Sequence, residues 1–181
     1  WTEWEAFLPQ AKESVAWEGR LYGIPAYASV KTFIYHEAPF IRHGVDRSAL
    51  PRTWREYEEV VMRLTIVQPN GVEVLGTSPS WIREWKTWLG ALWQAKGSLV
   101  DARGGAQFAG AAGTEAARFL AGLYRTVDVP GAATHTLDIA TGRVASTFAD
   151  YNTLRAARAY RPAYGDFLVA GPPIGKDRTA V

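Results

Sequence analysis

The sequence contains no cysteine, a single methionine and no long apolar run. Without cysteine there is no disulfide, no thiolate metal site and no thiol nucleophile. That absence does not fix the compartment, because exported proteins also lack cysteine. No stretch approaches the about 20 apolar residues needed to span a bilayer. Net charge is only +2, and like charges form no run, so neither nucleic acid nor an anionic membrane surface is an expected partner. His36, His43 and His135 show no ligand spacing with each other or with nearby carboxylates, so no metal is expected. There is no Gly-x-Ser-x-Gly elbow. Gly104-Gly105 and the glycines from Gly110 to Gly113 lack the strand, loop and lysine of a phosphate cradle. No cofactor is expected. The chain begins at Trp1 without a signal-peptide pattern.

What is present is a globular composition. The 181 residues are 48% hydrophobic and 21% charged, enough for one full domain with a sizeable core. The stretch from Trp17 to Phe40 organises the rest. Glu18-Gly19 supplies turn chemistry. Leu21, Tyr22 and Ile24 are strand-type residues, and Pro25, which cannot donate to a ladder, closes that strand. A small-residue connection follows, and then a β-branched and aromatic strand from Val30 to Tyr35.

The flanking pattern alternates helices with strands. Residues 2 to 15 carry apolar positions at helical spacing, with Pro9 weakening or kinking the helix. Glu37 to His43 is a short helix ended by Gly44. Thr53 and Glu56 form a capping box for a helix that buries Tyr57, Val60, Val61 and Leu64. A turn at Gln68 to Gly71 leads to a strand at Val72 to Leu75. Ser80 can cap a helix with Trp81, Trp85, Trp88, Leu89, Leu92 and Trp93 on one wide face, stopped by Gly97. After a glycine-rich loop, Thr114 caps the next helix. His135 to Ala140 is a short helix, Arg143 to Ala149 a strand, Asn152 to Tyr160 a helix, and Phe167 to Ala170 a last strand. The interleaving predicts an α/β layer architecture, a mixed sheet flanked by helices.

Candidate chemistry gathers where strands give way to helices, the place where α/β proteins hold ligands. Trp81 and Trp85 sit on the first turns of their helix. Their indoles either pack in the core or stack on a sugar ring. Trp88 and Trp93 are read as core. Asp150, Tyr151 and Asn152 follow a strand end, and together offer donors and acceptors for hydroxyls. Asp150 serves equally well as a helix cap. Lys31 is either a snorkelling surface lysine or a ligand contact. Glu58-Glu59 is a solvated pair. Asp101, Asp138 and Asp150 give no support for a paired-carboxylate glycosidase.

Several marks in order resemble the sugar-type extracellular solute-binding proteins of ABC importers. They are the Leu21-Tyr22-Gly23-Ile24-Pro25 strand, the strand ending at Tyr35 with a helix start at Pro39-Phe40, and Leu50-Pro51-Arg52-Thr53-Trp54 followed by Glu56-Tyr57. Trp88 to Gly97, Thr114 to Tyr124, Gly142-Arg143-Val144-Ala145 and Gly171-Pro172-Pro173 continue the series over most of the chain. The resemblance implies a periplasmic-binding-protein-like lobe. Residues 1–25 belong to or lead from another lobe, 26–170 form the second lobe, and 171–181 cross back. It also implies that the chain starts inside the family pattern and stops before its end. Tyr27, Ser29 and Lys31 then lie on the cleft floor, and Tyr151, or Asn152 one register away, faces the sugar. The implied function is capture of a carbohydrate and delivery to an ABC permease by a periplasmic or extracellular monomer. Its membrane association is only through the transporter or a lost lipid anchor, and no bond is broken. The rivals are a glycoside-active enzyme domain and a protein-interaction module using the tryptophan-rich helix.

Overall fold

The structure is a computed structural model that describes residues 4–27, 29–46, 48–132, 136–159, 166–171 and 175. Two compact units divide the chain, Trp1–Val30 and Lys31–Val181.

The first unit holds a 3-10 turn at Trp4–Ala6, helix α1 (Pro9–Glu13) and a hairpin of β1 (Ala16–Trp17) with β2 (Arg20–Leu21). The helix expected over residues 2 to 15 is therefore broken. Pro9 lacks an N–H and starts a helix at its first turn instead of continuing one. Glu18 and Gly19 both have positive φ, +46° and +75°, as a two-residue hairpin turn of the type I′ sort requires. Tyr22 and Ile24 lie beyond the ladder and are exposed.

The second unit is built on β3 (Lys31–His36). It pairs antiparallel with β6 (Ser146–Asp150) on one side and β7 (Phe167–Ala170) on the other. Lys31 faces Asp150, Phe33 faces Phe148 and Tyr35 faces Ser146 across the β3–β6 ladder. An isolated parallel bridge joins Leu75 to Val144, outside the strands of this sheet. Helix α2 (Glu37–Arg42) follows β3 directly, capped by His36 Nδ1, which accepts from Ala38 N at 3.1 Å.

Helix α3 (Trp54–Arg63) carries the expected capping box. Glu56 N donates to Thr53 Oγ1 at 3.3 Å, and Thr53 N donates back to Glu56 Oε2 at 3.1 Å. Its buried residues include Tyr57 and Val61, with Leu64 at its C-cap. A hairpin of β4 (Ile66–Gln68) and β5 (Gly71–Val74) follows, of which the first strand was not foreseen. Gly76 then passes so close to α3 that a Cβ there would sit 2.1 Å from the Val61 carbonyl oxygen.

The tryptophan-rich stretch is two helices rather than one. α4 (Pro79–Ile82) is capped by Ser78, not Ser80, and α5 (Trp85–Gln94) begins after a break at Arg83-Glu84. The break resets the helical phase. Of the two alternatives for Trp81 the core one is realised, at 2% exposure, whereas Trp93, expected in the core, is 47% exposed. Helix α6 (Ala111–Val127) starts three residues before Thr114, with Gly110 at its N-cap. A 3-10 turn at Thr136–Ile139 precedes β6, and α7 (Tyr151–Arg158) follows it. His135 and most of the 171–181 segment lie outside the described residues.

Two clusters fill the second unit. The larger joins Phe33, Tyr35, Phe40, Tyr57, Leu75 and Trp81 with the inner faces of α3 and α6. The smaller places Trp54 against Leu92 and Ala116, its ring stacked on Phe119 at 4.4 Å.

Candidate functional site

The site is built at the end of the β3–β6 ladder. There the chain from Gly76 to Ser78 runs beside β6, with Ser78 N donating to Ser146 O at 3.1 Å. It then turns into α4, while β6 turns into α7. Between these turns opens a cleft of about 680 Å³, including its mouth. Trp81, Phe148, Ile139 and Val144 give it apolar walls. Ser78, Ser80, Thr147 and Thr153 add hydroxyls, and Lys31, Glu84 and Asp150 add charge.

Trp81 is 2% exposed. Its ring meets Phe33 edge-on at 5.4 Å and Phe148 at 5.9 Å. Its indole N–H is already committed, donating to Thr77 Oγ1 at 2.8 Å. Thr77 belongs to a buried hydroxyl network. Tyr57 Oη donates to Thr77 Oγ1 at 2.7 Å and lies 2.8 Å from Ser146 Oγ. Ser146 Oγ donates to the Gly76 carbonyl at 2.7 Å. Burial pushes the Tyr57 phenol pKa up, while the bonds to Ser146 and Thr77 pull it down less strongly. The network fixes the indole from behind, so Trp81 can offer the cleft only carbon surface.

Lys31 is ion-paired with Glu84, and its ammonium lies 5.8 Å from the centre of the Phe148 ring. The lysine thus has the partner that a part-buried charge requires. Asp150 caps α7, its Oδ1 accepting from Thr153 N at 3.1 Å and from the Thr153 hydroxyl at 3.4 Å.

Of the residues singled out from sequence, Trp81, Lys31 and Asp150 line this cleft together. Trp85 and Tyr151 adjoin lining residues in sequence and are 67% and 66% exposed. Asn152 is exposed beside Tyr151. Tyr27 and Ser29 belong to the first unit, where Tyr27 is 87% exposed and Ser29 is also exposed. Sequence reasoning missed Glu84, Phe148, Thr147 and Thr153. Glu84 was hidden because the stretch was read as one continuous helix, without the break at Arg83-Glu84 that presents it. The signal was Ser78-Pro79, a cap and first-turn proline that starts the helix two residues early.

Among the described residues no group of His, Asp or Glu is arranged to hold a metal ion. No described helix is long and apolar enough to cross a membrane.

No protein-family model matches the chain. Its architecture is the periplasmic-binding-protein fold, superposing on T. maritima MalE3 with maltose bound over 96% of this chain and 46% of that one, with a TM-score of 0.71 and 21% identity. A Thermotoga lettingae ABC transporter solute-binding protein bound with α-D-tagatose matches 92% of this chain and 45% of its own, with a TM-score of 0.70 and 22% identity. In sequence, the chain resembles a probable amino-acid ABC transporter periplasmic-binding protein of Sinorhizobium fredii, y4oP, at 29% identity over 113 residues. That match takes in 62% of this chain and 26% of the relative. The chain therefore resembles the solute-binding proteins of ABC importers in sequence and in fold. It spans less than half the length of each of these proteins.

Proposed function

We propose that this chain is mainly one lobe of a sugar-type solute-binding protein and contributes half of a carbohydrate cleft. The observation that carries the reading is the cleft itself. An indole with no free N–H and a phenyl ring stand beside hydroxyls and a carboxylate. Sugar rings need both kinds of surface, carbon for their C–H faces and acceptors for their hydroxyls. Trp81, Lys31 and Asp150 are the contacts of the second unit, with Trp85, Tyr151 and Asn152 at its rim. Tyr27 and Ser29, in the first unit, are proposed as ligand contacts apart from this cleft. Residues 1–25 lead from the other lobe, 26–170 form this one, and 171–181 lead back.

In this reading the ligand is held between two lobes, and closure is driven by contacts present only in the closed state. The ligand then passes to an ABC permease outside the cytoplasm, without chemistry. The protein acts as a monomer.

The test is ligand-observed NMR with a panel of mono- and oligosaccharides. The 181 residues should show weak contacts, since half of the binding surface contributes. Asp150→Asn should weaken them about tenfold, while keeping the helix, because asparagine is an equally good cap. Micromolar affinity of this chain alone would refute the half-cleft reading. Hydrolysis of chromogenic glycosides would favour the enzyme instead.

A further inference from the structure

We infer that Glu84 sets the charge selectivity of the cleft, by holding the Lys31 ammonium so that anionic ligands are turned away and uncharged polyols are taken. This rests on the carbohydrate reading of the same cleft. Three charged side chains line it, one basic and two acidic, so its balance is −1. Lys31 and Asp150 are directly opposed across the β3–β6 ladder. Cross-strand partners lie close enough for a lysine to reach a carboxylate. The ammonium is nevertheless engaged by Glu84, from the break between α4 and α5.

Two consequences follow from that choice of partner. Lys31 is not a free cation for a phosphate or carboxylate, because its charge is already met at contact distance. Asp150 has no ion-pair partner among the described residues, with Oδ1 turned to Thr153 and Oδ2 without a hydrogen bond to any described residue. A sugar hydroxyl can donate to such an oxygen, whereas a phosphate or uronate oxygen is repelled by it. The pair is partly solvated, with Glu84 44% and Lys31 26% exposed, so water and salt moderate the effect.

The experiment compares glucose and maltose with glucose 6-phosphate and glucuronate by ligand-observed NMR, on the wild-type chain and on Glu84→Gln. Glu84 makes no side-chain cap bond to α5, so the substitution leaves that helix start intact. Wild type should prefer the neutral ligands by about tenfold or more at low salt. Glu84→Gln brings the lining charge from −1 to 0, whether Lys31 stays free or swings to Asp150. The preference should fall about tenfold, mostly through gain of the anionic ligands. Equal or tighter anionic binding by wild type overturns this inference and leaves the carbohydrate reading standing. An unchanged preference in Glu84→Gln does the same. Binding of neither class by wild type overturns the carbohydrate reading, and this inference with it.

Discussion

Two buried tyrosines, one on the sheet and one packed against it, live under opposite conditions. Tyr57, on α3, packs beside the Trp81 ring and has its hydroxyl between Thr77 and Ser146. Tyr35, in the central strand, is equally inaccessible, but its hydroxyl has no hydrogen-bond partner among the described residues. Burial pushes both phenol pKa values far up. The same side chain is thus a satisfied support at one place and an unmet polar group at the other. The difference shows which region has been shaped for precision. Beside the cleft the hydroxyls of Tyr57, Thr77 and Ser146 are tied together, and the Trp81 ring is tied to them. Near the β3–α2 corner the packing is carried by apolar contact, with Tyr35 edge-on to Phe40 at 5.9 Å.

That contrast can be broken by deletion of each hydroxyl. Tyr57→Phe should cost about 1–3 kcal/mol in urea unfolding, because it strips partners from two buried hydroxyls. A cost near zero would show that Thr77 and Ser146 satisfy each other without it. A smaller, pH-dependent effect is expected at His36, fully buried at the corner. Burial lowers its pKa below 6.5 and Arg42 adds to this, against the pull of the Ala140 carbonyl and Glu37. The unfolded chain then binds the proton more readily, so stability from this residue is present above about pH 6.5 and is lost as pH falls below it. His36→Asn retains a capping side chain and should flatten this acid-side slope in denaturation measured from pH 7 to 5. An unchanged slope would assign it to other groups. The smallest effect, with the opposite sign, is expected for Tyr35→Phe. Removal of an orphan hydroxyl should leave stability unchanged or raise it by up to about 1 kcal/mol. A clear loss would mean that the hydroxyl has a partner after all.

Much of the local architecture was legible in the sequence. The Thr53–Glu56 box, the Glu18-Gly19 turn, the short helix before Gly44 and the strands β3 and β7 all follow from residue types within a few positions of each other. The tryptophan stretch was not legible in the same way. An apolar repeat of four, three, one, three and one fits a single helix, and the pattern cannot reveal that the chain breaks at Arg83-Glu84. With the break, Trp81 turns inward against Phe33 and Phe148. The start of α6 was misplaced because Thr114 is a better cap than Gly110, and Gly110 was nevertheless used.

The sequence by itself determined an α/β chain without thiol chemistry, its main helix starts, and an ordered set of marks resembling the importer solute-binding proteins. These are short-range matters of dihedral preference, capping and composition, written within one turn or strand. Only the tertiary structure decided that Lys31 is held by Glu84, 53 residues away, and that the Trp81 indole is held through Thr77 by Tyr57. Such pairings depend on strand register and on where helices break. A shift of one residue in a ladder moves a side chain to the other face, and no local preference specifies that choice.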